Sequence, residues 1–164
     1  MRARAAFVLI ALALLAACDR ASPSNTAEVG PPPAPGENQW RYTLAVPAEF
    51  VRQDVQGIDS AVAEYRGPGA VLNMDHGMYG GAPTCSSSDC TLSEEELDGH
   101  AAVIGRFRFS PAHAKGRGPF FVDVYVELRR HPVEEGLSMR ASCRTQAACD
   151  QALAIFRSVR FHRT

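Results

Sequence analysis

The stretch 120–128, FFVDVYVEL, alternates without a break: Phe120, Val122, Val124, Val126 and Leu128 fall on one side, and Asp123, Tyr125 and Glu127 on the other. A period of two is the signature of a β-strand, so this run commits the chain to a sheet with one apolar face. Such a face has to be buried against a second layer. The run 137–143, LSMRASC, repeats the pattern with Leu137, Met139, Ala141 and Cys143 on one side. The Gly-ended connection RRHPVEEG between the two predicts an antiparallel hairpin.

Residues 101–109 set Ala101, Val103, Gly105, Phe107 and Phe109 opposite Ala102, Ile104, Arg106 and Arg108, which predicts a third strand. YTLAV, SAVAEY and AVLNMDH predict three shorter ones. The second layer is expected from a C-terminal helix that starts near Thr145, a good N-cap. It carries Cys149, Ala152, Leu153, Phe156 and Val159 at spacings of three and four. Ser93 and Glu96 have capping-box spacing and predict a short acidic turn or helix before Asp98-Gly99. The expected class is α+β: an antiparallel sheet of five to six strands packed against a C-terminal helix as an α/β sandwich.

The N-terminus has Arg2 and Arg4, an apolar run from Phe7 to Ala17, and then Cys18, the order of a secretory leader. As a helix the run is about 16 Å long, too short for a hydrocarbon core of about 30 Å. Its end, Leu15-Ala16-Ala17-Cys18, resembles the lipobox of bacterial lipoproteins. The resemblance implies cleavage of residues 1–17, acylation of Cys18 and attachment to a lipid bilayer. Asp19 resembles an inner-membrane retention signal, which favours the inner over the outer membrane. Residues 18–39 follow as a Pro-rich tether without Leu, Ile, Met or Phe, with a reach of about 25 to 65 Å. Residues 40–164 are expected to form one globular domain.

Loss of the leader takes the chain from a net charge of −1 to 15 basic against 18 acidic residues, or −3. That balance argues against a nucleic-acid partner. With Cys18 taken by lipid, Cys85, Cys90, Cys143 and Cys149 remain, an even set that predicts two disulfides in an oxidising compartment. Local pairing, Cys85 with Cys90 and Cys143 with Cys149, closes the shortest loops, although four cysteines permit three connectivities.

YTLAVPAEF, GIDSAVAEY, DGHAAVIG and ALAIFRSVRF occur in an order similar to the PsbP-like α/β-sandwich group. That resemblance implies a non-catalytic accessory or lipoprotein role and no shared catalytic residue.

The densest chemistry is NMDHGMYGGAPTCSSSDC, residues 73–90. On a strand Asp75 and His76 diverge, so they do not form a dyad, and parity places His76 with Leu72 and Met74 on the buried side. The alternative is an envelope hydrolase in which His76 or His100 works with a carboxylate brought near by the fold. A third reading, a metal site, draws on His76, Cys85, Cys90, His100 and His113, whose spacings match no compact ligand motif. We therefore expect no metal and no cofactor. Redox exchange lacks a Cys-x-x-Cys pair, and no nucleophile elbow or phosphate loop occurs.

One charge feature carries an expectation. A meander of the three long strands gathers Arg106, Arg108, Lys115, Arg117 and Arg144 at one end, where they could contact an anionic ligand or lipid headgroups. It gathers Glu94, Glu95, Glu96, Asp98, Glu134 and Glu135 at the other. The functional expectation is a membrane-anchored, periplasmic, non-catalytic binding or accessory module whose partner is an envelope protein or an anionic ligand.

Overall fold

Each period-two run forms a strand, and the inward sides of the strands meet in a common core. In the run 101–109 it is Ala102 and Ile104 that enter this core, while Ala101, Val103, Gly105 and Phe107 lie on the opposite face of the sheet. The computed structural model describes residues 24–29, 40–58, 60–77, 80–86, 89–110, 114, 118–129 and 135–163. Among them the order is β1 (Ser24–Val29), β2 (Trp40–Pro47), β3 (Val51–Gln53), β4 (Ala61–Gly67), β5 (Ala70–Gly77), β6 (Cys90–Leu97), β7 (His100–Arg108), β8 (Phe120–Arg129), β9 (Glu135–Cys143), α1 (Gln146–Arg157) and β10 (Arg160–Arg163). Seven strands form an antiparallel sheet in the order β3-β4-β5-β9-β8-β7-β6, and β1-β2-β10 form a smaller one. The molecule is α+β and mostly sheet. The large sheet has seven strands where five to six were expected.

The expected hairpin is β8-β9, in which Val122↔Ala141, Val124↔Met139 and Val126↔Leu137 face each other, and β7 completes the meander. β5 joins the other side of β9 with Leu72↔Ala141 and Met74↔Met139. This face of the sheet is covered by α1 and β2. Tyr42, Leu44 and Val46 of β2 and Ala152, Leu153 and Phe156 of α1 are buried against it. The whole expected helix stripe, Cys149 to Val159, is buried. A side chain such as Phe156 contributes roughly 3 kcal/mol by leaving water.

The helix begins where its cap predicts. Thr145 Oγ1 accepts the Ala148 N–H at 3.2 Å, and Arg157 in the last turn complements the helix dipole. Arg157 also forms an ion pair with Glu95 of β6, and Arg106 of β7 holds Asp150 at 2.6 Å, so charged side chains pin α1 to the outer strands.

Two expectations are corrected. Ser93–Glu96 belong to β6 and not to a helix. Asp98 and Gly99 have φ of 50° and 83° and pair β6 with β7 through Leu97↔His100, the left-handed conformation of a primed hairpin turn. β6 reads as polar because it is an edge strand, where charges protect against pairing with other chains. The second correction concerns the tether. Ser24–Val29 pair with β2 from Ser24↔Pro47 to Val29↔Tyr42. The segment has no proline, so every amide can enter the ladder, and it occupies an edge of β2 that would otherwise be open. Residues 1–23 and 30–39, with Cys18 and the prolines, lie outside the described residues.

Candidate functional site

The face of the large sheet opposite α1 is partly covered. β5 lies inside the sheet and the next strand in sequence, β6, is its far edge. The connection between them therefore runs over β9, β8 and β7 as a strap. A side chain at Gly80 would place its Cβ 2.7 Å from Ser138 Oγ on β9 and 3.1 Å from the Tyr125 ring on β8. A Cβ at Gly105 of β7 would lie 2.9 Å from Pro83. These glycines let the strap lie flat, and Pro83 of the strap is buried against the sheet. The end of the strap is fastened by the Cys85–Cys90 disulfide, with Cα atoms 5.6 Å apart, to the first residue of β6. NMDHGMYGGAPTCSSSDC is thus the end of β5 and a stapled strap; residues 78–79 and 87–88 lie outside the described residues. The second local disulfide, Cys143–Cys149 with Cα atoms 5.5 Å apart, ties the end of β9 to the first turn of α1.

His76 and Asp75 diverge as parity requires. His76 is 8 % exposed on the core face, and Asp75 is exposed on the open face. The core supplies His76 with a carboxylate that spacing did not reveal: its Nε2 lies 3.1 Å from Glu135 Oε1. Glu135, grouped in the sequence with the surface acids, is itself 8 % exposed, because it shares the inward parity of Leu137 on β9. Tyr42 meets His76 edge-on at 6.0 Å, and the buried hydroxyls of Tyr42 and Tyr65 have no hydrogen-bond partner among the described residues. Burial holds the His76 imidazole below its ordinary pKa, and the neighbouring Glu135 and Asp75 carboxylates only partly offset this. His76 is therefore neutral at pH 7. A histidine and carboxylate in contact are the elements of a general base, but both residues are buried on the core face, each 8 % exposed. His100, the other candidate, packs its ring edge-on to Phe161 at 4.9 Å. His113 lies outside the described residues, among which no three His, Cys, Asp or Glu side chains converge as a metal site would need.

The arginines expected at one end divide between two clefts. Arg106 and Arg108 line one of about 360 Å³ with Thr91, Phe120 and Gln146, and Arg144 lines another of about 430 Å³ with Arg66 and Ser142. Arg106 is neutralised by Asp150, and Arg108 lies over the Phe120 ring at 5.6 Å. Lys115 and Arg117 lie outside the described residues. Among the described residues, Arg144 does not share a cleft with Arg106 and Arg108.

A third cleft, on the open face, was not anticipated. It measures about 230 Å³ and is lined by Val55, Val62, Glu64, Asn73, Asp75, Ser138 and Arg140 among others. The cross-strand row Glu64–Asn73–Arg140–Asp123 runs along its floor, next to the row Val62–Asp75–Ser138–Tyr125. Glu64 is held by Arg66 at 2.8 Å, and Arg140 Nε donates to Asp123 Oδ2 at 3.2 Å. The polar outward residues of β4, β5 and β9 were the only signal in the sequence; their convergence depends on the β5-β9 pairing of distant strands.

A scan against protein-family models gives no match, and neither do searches of curated proteins and of solved structures.

Proposed function

We propose that the chain is a lipid-anchored protein of the bacterial envelope, held on the periplasmic side of the inner membrane through acylated Cys18, and that its domain binds a ligand or partner through the strapped open face without catalysing a reaction. The observation that carries the binding half is the contrast between the two polar centres: His76 and Glu135 are buried on the core face, whereas the open-face cleft presents accessible carboxylate, amide and guanidinium groups. The strap adds to this, since a surface held rigid by a disulfide loses little conformational freedom on binding. The lipobox-like order of Leu15-Ala16-Ala17-Cys18 supports the anchoring half. A sandwich related to the PsbP-like group fits the same reading, by the order of its strand and helix segments.

The second reading, an envelope hydrolase, draws on the 3.1 Å His76–Glu135 contact. The metal-binding reading loses two ligands, because Cys85 and Cys90 are joined to each other.

Anchoring is tested by fractionation of cells expressing the full chain, with intact mass of the extracted protein. The expected result is a membrane protein that starts at an acylated Cys18, and a Cys18→Ala chain that is not acylated; an unmodified cysteine at position 18 in the mature protein contradicts it. The absence of catalysis is tested with a panel of ester, amide and phosphoester substrates. Turnover lost on both His76→Ala and Glu135→Gln would establish the hydrolase instead.

A further inference from the structure

We infer that the open-face cleft is a binding site for a small zwitterion of the α-amino-acid type, a reading that rests on the open face being the binding surface. Its polar groups differ in what they already hold. Asp75 and Asn73 make no hydrogen bond or ion pair among the described residues, while the Arg140–Asp123 contact engages only Arg140 Nε and leaves both terminal nitrogens of the guanidinium for a ligand. The Ser138 hydroxyl, 3 % exposed and without a hydrogen-bond partner among the described residues, closes the end of the cleft under Gly80.

The charge pattern selects the ligand. A bare anion at Arg140 meets Asp75, Glu64 and Asp123, and a bare cation at Asp75 meets Arg140. A molecule carrying both charges satisfies both sides. Asp75 opposes Ser138 on β9, so Arg140, two residues further along, is its diagonal neighbour at about 7–8 Å. An ammonium group fits against the Asp75 carboxylate and Asn73 Oδ1, and the carboxylate of the same molecule accepts two N–H bonds from Arg140. Val55 and Val62 offer an apolar wall for a short side chain. A cleft of about 230 Å³ lies below the range of about 300–1,000 Å³ that holds drug-sized ligands, which limits the occupant to roughly one amino acid.

The test is an amide-resolved NMR titration of the acylated mature chain in detergent micelles with L-alanine, ethylamine and propionate. L-alanine is expected to shift the amides of Asn73, Asp75 and Arg140 with affinity on the order of millimolar, and the two singly charged probes to bind about tenfold more weakly. Asp75→Asn, Arg140→Gln and Asn73→Ala should each weaken L-alanine binding while the spectrum of the core stays unchanged. Ethylamine as effective as L-alanine, shifts confined to other surfaces, or no shift with any probe overturns the inference. Such a failure leaves the membrane fractionation and the open-face crosslinking result described below untouched, so it is separable from failure of the binding-module reading.

Discussion

His76 Nε2 lies 3.1 Å from Glu135 Oε1, and the two residues come from strands whose positions are 59 apart in the chain. Because burial depresses the His76 pKa, the folded protein holds this imidazole neutral while the unfolded chain protonates it near pH 6.5. The stability that follows is fully present above pH 6.5. It is lost as pH falls from there toward the depressed native pKa, at a slope of no more than about 1.4 kcal/mol per pH unit. Urea unfolding at a series of pH values should show this loss, and His76→Gln should remove its share of it. Glu135→Gln should depress the His76 pKa further, since the carboxylate raises it; NMR titration of the ring gives the value.

The two disulfides differ in exposure. Cys85 is exposed, whereas Cys143 and Cys149 are 0 % and 3 % exposed. Mild reductant followed by alkylation should label Cys85 and Cys90 first and spare Cys143 and Cys149 until the domain unfolds. Either bridge, once removed, should cost about 2 kcal/mol, from the entropy of closing loops of about six or seven residues.

Replacing Gly105 by Val puts a Cβ 2.7 Å from the Phe107 ring and 2.9 Å from Pro83. The strap should lift, residues 80–86 should become sensitive to protease and exchange their amides faster, and stability should fall by about 1–3 kcal/mol. An unchanged cleavage pattern would mean that the strap is not seated on β7.

The β6-β7 turn depends on a left-handed residue at position 99. Gly99→Val should destabilise the fold by about 1–2 kcal/mol in urea unfolding, whereas Asp98→Asn should cost less, because Asn tolerates the same conformation and its Oδ1 can still accept the Phe161 N–H, leaving only the exposed Arg160 ion pair lost.

What was legible in the chain was local. FFVDVYVEL, LSMRASC and the stripe from Cys149 to Val159 each report one face of one element, and Thr145 marks its own helix start. The short loops between cysteines likewise matched the observed pairs. SEEELDG misled because Ser93 and Glu96 satisfy a capping-box pattern, while the Asp-Gly turn signal next to them decides the structure. Ser24–Val29 was hidden by the prolines on either side of it. Neither the His76–Glu135 contact nor the Asp75–Arg140 diagonal can be read from spacing, because both need the β5-β9 register. Glu135 looked like surface charge until that register turned it inward.

The open face of the large sheet is the proposed surface for meeting a partner. A photoreactive amino acid at Val55, which is 38 % exposed beside the cleft, and in a separate chain at Ala154, exposed on the outer side of α1, tests it in intact cells. Covalent adducts from position 55 and none from position 154 are the predicted result. Adducts from position 154 alone, or from neither position, would contradict the account.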